Sequence, residues 1–387
     1  MRPRDQGVLV GTMALEEGAR VDFTRLRKDR RERVFEGMEA DNLDALILGR
    51  IGDVRYTSGA RQLWRAGVNP FAAVCVAVRE TGRVHLLSVW DEGIPPEIAN
   101  EDLYPMFWNP GNLLQAVGAI PGLGQAERVG TDGLTPMFGQ VLPALFPGGE
   151  LVDGSPAMAR ARSSKTTDEI TCITVAAAIA EAGLSALEQA LVPGVTEREL
   201  LGVYEECVAR LGAPNPASES AAFATAARGP VRFRYLATDR PVGEGELVVL
   251  SPGALYAGYE ASLARTRLSS GPAPRGAEAL AERCWRGLDA LVGACRAGNT
   301  GADLRRAWES TGERLPSVVL AHGLGLGVEP PVIGLGRGDG AVLQEDAVLC
   351  VQSWVTAEGT GGVLERAVVR VGADGPEVLT RVGRFAP

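Results

Sequence analysis

Lysine and histidine are nearly missing from this 387-residue chain. Lys28 and Lys165 are its only lysines, and His85 and His322 its only histidines. Schiff-base or lysine general-base chemistry therefore has very few candidates, and imidazole acid–base work near neutral pH has two. The six cysteines (Cys75, Cys172, Cys207, Cys284, Cys295, Cys350) include no Cys-x-x-Cys pair. Neither a zinc knuckle nor a disulfide framework is indicated, and free buried thiols are the expectation. No uninterrupted apolar core of signal-peptide length stands near the N-terminus, and no run is expected to span a bilayer. A cytoplasmic protein is expected. Net positive charge is also lacking: the formal charge is −9 and the pI about 5.1, which disfavours nucleic acid and anionic membrane as partners. A small-molecule or peptide ligand remains. What is present, 45% hydrophobic and 22% charged residues with a mean hydropathy of +0.03, describes a soluble globular protein long enough for two domains.

Residues 1–22 show no periodicity and read as an N-terminal arm. Phe23, Leu26, Val34, Phe35 and Met38 recur among charges, predicting a helix over 23–40. Leu43 to Leu48 predicts a buried strand, and Phe71 to Val78 and Arg83 to Val89 two more strands. The Pro- and Gly-rich run from Pro147 to Pro156 marks a boundary, dividing an αβ domain at 23–155 from a second domain at 156–387. Thr166 or Thr167 can cap a long Ala-rich helix, and Thr196 with Glu199 forms a capping-box pattern. Further on, 277–295 and 302–313 predict a second helix pair, and 318–371 strands and loops. Leu247 to Ser251 and Tyr259 to Leu268 read as a hairpin folded near Tyr256 and Ala257, with Ser251 and Ser262 facing each other across it.

That hairpin carries a resemblance. Gly253, Tyr256, Gly258, Tyr259, Arg265 and Thr266 match the pattern Asp-x-Gly-x-x-Tyr-x-Gly-Tyr-x-x-Asp-x-x-Arg-Thr of the pita-bread (peptidase M24) family, which includes prolidase, aminopeptidase P, methionine aminopeptidase and creatinase. Residues 53–59 resemble the Asn-x-x-Tyr-Leu-Thr-Gly turn of the family's N-terminal domain, which implies a turn there, and 160–170 and 192–200 resemble further family segments. The resemblance implies an α/β (α+β) fold: a pita-bread C-terminal domain preceded by a smaller creatinase/prolidase-type αβ N-terminal domain. It also implies a homodimer in which one subunit's N-terminal domain closes the other's site.

The family binds two metal ions through five residues, and this chain departs from that set. Ser251 and Ser262 stand where the hairpin Asp pair is expected. His322, in Ala321-His-Gly-Leu-Gly-Leu326, matches the metal-binding histidine. Gln352 replaces a Glu, and Glu365, in Gly361-Gly-Val-Leu-Glu-Arg366, aligns with the last carboxylate if one residue is missing. Serine hydroxyls stay protonated at neutral pH, and zinc ordinarily takes three or four protein ligands. No metal and no cofactor are therefore expected.

The creatinase histidine upstream of the hairpin is absent too, since Arg232, Arg234 and Tyr235 occupy its neighbourhood. The candidate catalytic groups are His322, Glu365 and Glu329. Arg232 and Arg234, on one side of a strand, are candidates to hold a substrate carboxylate. Tyr235, Glu260, Ser262, Gln352, Trp64 and Arg65 complete the expected substrate contacts. A purely structural reading stands beside each, including a solvated arginine face and a Glu365–Arg366 ion pair. The leading expectation is a metal-independent hydrolase of a C–N bond in a small amino-acid-like or amidino substrate. A non-catalytic binder, a lyase, isomerase or cyclase, and an Xaa-Pro metallopeptidase are the alternatives.

Overall fold

The computed structural model describes residues 21–387 apart from 61–74, 90, 92, 108, 134, 214–219, 226–230, 382 and 384–387. Trp64 and Arg65, the segment 71–74 and most of the N-terminal arm lie outside the described residues. The chain divides into two compact units, Met1–Arg162 and Ser163–Pro387, a division one helix later than the sequence boundary.

In the first unit, Asp22 caps α1 (Phe23–Ala40) by accepting the Arg25 N–H, and Phe23, Leu26, Val34 and Met38 bury the expected stripe. The strands β1 (Ala45–Leu48), β2 (Cys75–Val78), β3 (Arg83–Ser88), β4 (Leu103–Pro105), β5 (Arg128–Thr131) and β6 (Glu150–Asp153) form one sheet in the order β4-β3-β2-β1-β5-β6. Residues 53–59 do not form the predicted turn. They belong to a helix, α2 (Ile51–Ser58), which Gly59 ends in the left-handed conformation, as glycine does at helix C-termini. The helices α3 (Pro110–Gly118), α4 (Pro136–Val141) and α5 (Ser155–Ser163) complete the unit.

The second unit opens with α6 (Thr167–Ala190) and α7 (Glu197–Arg210), each begun by a complete capping box, Thr166 with Glu169 and Thr196 with Glu199. By length and composition α6 meets the requirement for a membrane span, with a mean hydropathy of 1.8, so the expectation that no run is long enough is corrected. Here it packs against α7 and the hairpin segments Gly253–Tyr256 and Tyr259–Ser262. A long apolar core helix and a membrane span share the same composition.

The predicted single hairpin is in fact two nested pairings. β9 (Gly253–Tyr256) and β10 (Tyr259–Ser262) pair around a tight turn at Ala257 and Gly258, both at positive φ. β8 (Leu247–Ser251) and β11 (Arg265–Leu268) pair separately, beside β7 (Ala221–Thr225). Ser262 therefore faces Gly253, and Ser251 faces Ala221. The two serines are not cross-strand partners, because both pairings share one register, in which Leu250 stands opposite Arg265 and Gly253 opposite Ser262, two residues out of step with a Ser251–Ser262 pair.

After α8 (Ala277–Ala294) and α9 (Gly301–Glu309) come β12 (Ala321–Gly325), β13 (Gly327–Ile333), β14 (Val348–Ala357), β15 (Gly361–Gly372) and β16 (Gly375–Val378), in the sheet order β13-β12-β14-β15-β16. Alternate residues of a strand point to opposite faces. Leu349, Val351 and Val355 of β14 and Val363, Ala367 and Val369 of β15 cluster with Leu280, Cys284, Leu288 and Leu291 of α8. Leu364 and Trp354 belong to a different cluster, with Phe223 and Val249. This alternation decides which polar side chains meet.

Candidate functional site

Opposite the α8 face, β14 presents Cys350 and Gln352, and β15 presents Arg366. Gln352 and Arg366 are direct cross-strand partners. The Arg366 guanidinium is fully buried. Its Nε and Nη2 donate to Gln352 Oε1 at 3.0 and 2.7 Å, and its Nη1 donates to Ser251 Oγ at 3.0 Å. The Gln352 amide donates in turn to the Val319 carbonyl at 2.8 Å. A buried charge is costly unless its hydrogen bonds are met, and here three N–H groups of Arg366 reach neutral oxygens.

His322 of β12 lies across from Cys350 on one side and Val332 on the other. Its Nδ1 is 3.1 Å from the Gly323 carbonyl oxygen. A carbonyl only accepts, so Nδ1 carries the proton in that contact and Nε2 is the basic nitrogen. The ladder register to β13 slips between His322 and Gly323. Such bulges re-aim a side chain, and they are over-represented next to active sites. Ser262 Oγ lies 3.6 Å from Cys350 Sγ.

Glu329 of β13 is buried, with Oε2 3.0 Å from the Lys165 ammonium and Oε1 accepting the Leu326 N–H at 2.9 Å. Glu260 of β10 is buried as well, and a side chain at Gly327 would put its Cβ 3.9 Å from the Glu260 carboxylate.

Two expectations are corrected. Glu365 does not join this group: it follows Leu364 and precedes Arg366, so it points to the α8 face. There it pairs with Arg265 at 3.3 Å and accepts the Thr266 N–H at 3.4 Å. Burial, and secondarily the Glu365 charge, pushes the Cys284 thiol above its usual range. Counting without a gap from Gly361-Gly362 puts Arg366 itself in the last ligand position. Arg232 and Arg234 do not form a clamp on one strand face either. Residues 231–235 are not a strand, and Arg232 is exposed. Arg234 binds the buried Glu197, donating Nη1 to Oε2 at 2.9 Å, and stacks over Phe223 at 5.4 Å. Glu197 also accepts from Thr238 and from the Ala224 N–H. These hydrogen bonds outweigh its burial and hold its carboxyl below the usual range. Tyr235 is half exposed, its ring 4.7 Å from that of Phe233.

Sequence reasoning missed Arg366 and Lys165. The available signals were the ungapped count from Gly361 and the isolation of Lys165, the one lysine after position 28.

The donors do not fit a pair of divalent cations. Ser251, Ser262 and Gln352 are neutral, Arg366 is a cation, and His322 is the one ordinary ligand. Among the described residues no three His, Cys, Asp or Glu side chains gather as a group able to hold a metal ion.

Comparison with known proteins gives the following matches. The profile of metallopeptidase family M24 matches residues 171–372, and that of the creatinase/prolidase N-terminal domain matches residues 30–164. An Xaa-Pro dipeptidase of Pyrococcus furiosus is 29% identical over 229 residues, which are 58% of this chain and 64% of that protein. A creatinase of a Bacillus species is 24% identical over 391 residues, covering 94% of this chain and 93% of that one. The solved Xaa-Pro dipeptidase from Bacillus anthracis superposes with a TM-score of 0.75 at 21% identity, over 93% of this chain and 99% of that one.

Proposed function

This chain belongs to metallopeptidase family M24, and we propose that it is a hydrolase that cleaves a C–N bond of a small amino-acid-like substrate without the family's metal pair. Arg366 is the observation that carries the proposal: a fixed, buried cation where the family's ligands converge, held by Gln352 and Ser251. A preorganised cation in a low-dielectric site stabilises negative charge developing on an attacked carbonyl oxygen. His322 Nε2 takes a proton from the attacking water, the C–N bond breaks, and the same proton goes to the leaving nitrogen. The charge of Arg366 favours a substrate that presents a carboxylate or amide oxygen to it, and a small amino-acid-like substrate of the kind suggested by the names of both relatives supplies one. Glu260 and Ser262 line this group, and a homodimer in the cytoplasm belongs to the same proposal.

Replacing His322 with Ala is expected to lower turnover of small amides at least about 100-fold in a folded protein. Undiminished turnover would remove His322 from this role. One observation favours a second reading, a non-catalytic binder: Arg366, Gln352 and Ser251 already satisfy one another, and all three are buried. Saturable dipeptide binding with no product, measured across pH and with added metals, would favour it.

A further inference from the structure

We infer that Lys165 is a positioning residue for His322. This rests on the reading of His322 as the acid–base group. The Lys165 side chain is 3% exposed and that of Glu329 5% exposed, with Nζ and Oε2 3.0 Å apart. The lysine backbone is itself anchored, its N–H donating to the Asp346 carbonyl at 2.9 Å. On the other side of the carboxylate, Oε1 takes the Leu326 N–H. Gly325 makes the room: a Cβ there would stand 2.0 Å from Oε1. Glu329 thus closes back over the end of β12.

It also sits in register with Gly323. At Gly323 a Cβ would meet the Glu329 and Pro330 carbonyl oxygens at 2.9 and 2.5 Å, so the two backbones touch there. Gly323 is the residue whose carbonyl receives the His322 Nδ1 proton, immediately after the slip in register. The ammonium fixes the carboxylate, the carboxylate fixes the β12–β13 turn, and the turn fixes the carbonyl that sets the imidazole tautomer. Partners that orient the second ring nitrogen of a functional histidine decide which nitrogen is basic. A buried ion pair is weak evidence for net stability, but breaking one side of it is costly.

With two histidines in the sequence, the test is direct. The full chain is labelled with 15N-histidine and observed above pH ~8, where neutral imidazole dominates. His85, in the first unit, reports on folding. His322 in the unaltered protein is expected as one tautomer, protonated on Nδ1. Lys165→Met should shift the tautomer ratio about tenfold towards the other form with His85 unchanged, and Lys165→Arg should preserve the original ratio. Where Lys165→Met alone does not fold, Lys165→Met/Glu329→Gln removes both charges and carries the test. An unchanged His322 tautomer in a folded variant overturns the inference, as does failure of both variants to fold, which would make the pair structural. The nitrogen shifts are read without turnover. Failure of the hydrolase reading would appear in the His322→Ala assay and leave this result standing.

Discussion

At Arg366 the outcome depends on how a buried guanidinium is compensated. Taking it from water costs several kcal/mol in a protein interior, and Gln352 and Ser251 offset that cost through three hydrogen bonds. Arg366→Met keeps much of the volume and leaves the Gln352 and Ser251 oxygens buried without those donors. A loss of about 3 kcal/mol in urea unfolding of the second unit is expected; unchanged stability would mean that the guanidinium does not tie β8, β14 and β15. Asp132, in the first unit, has its carboxyl pushed up to about 6, chiefly by burial, while the N–H groups of Gly49 and Arg50 pull it down and Asp53 adds to the rise. Its unfolded value is near 3.9, so the folded state holds the proton more tightly. The resulting stabilisation is complete below about pH 4 and lost as pH rises through about 6. It is on the order of 3 kcal/mol. Urea unfolding of the first unit at several pH values should show this loss in the unaltered chain and not in Asp132→Asn.

Among the elements, the predicted helices formed where a cap and an apolar stripe coincide, at α1, α6 and α7. Predictions were wrong where strand period or local turn chemistry decided the outcome. Motif matching with a one-residue gap chose Glu365 over Arg366 because a carboxylate was expected there. The alternation of β15, with Val363 and Ala367 on the α8 face, reverses that choice. The pattern also merged β8 to β11 into one hairpin, although Pro252, which has no N–H to donate, interrupts the ladder between the two pairings. The link between Lys165 and Glu329 spans 164 positions, and no short-range signal carries it. Gly325 is the element-scale test of that packing. Gly325→Ala puts a methyl group into the Glu329 carboxylate, and an overpacking loss of about 1–3 kcal/mol is expected in thermal or urea unfolding. Wild-type stability would mean that Glu329 moves aside freely.

For the molecule as a whole, sequence conveyed the architecture well. The two family profiles, at 30–164 and 171–372, cover an N-terminal and a C-terminal part of the chain, the first running two residues past the end of the first unit at Arg162. The chemistry was less legible, because the hairpin and histidine motifs are kept while the expected carboxylates give way to the neutral Ser251, Ser262 and Gln352 and to the cation Arg366. Missing carboxylates are visible in a sequence, and an ungapped count from Gly361 reaches Arg366; its hydrogen bonds to Gln352 and Ser251 are seen only when β8, β14 and β15 are brought together. On the proposal that Arg366 stands in place of the metal pair, the transition-metal content of the purified chain, after incubation with manganese, zinc or cobalt and removal of the excess, should be near zero. About two equivalents per chain, the dinuclear complement, would mean that the pair still binds and that Arg366 does not replace it.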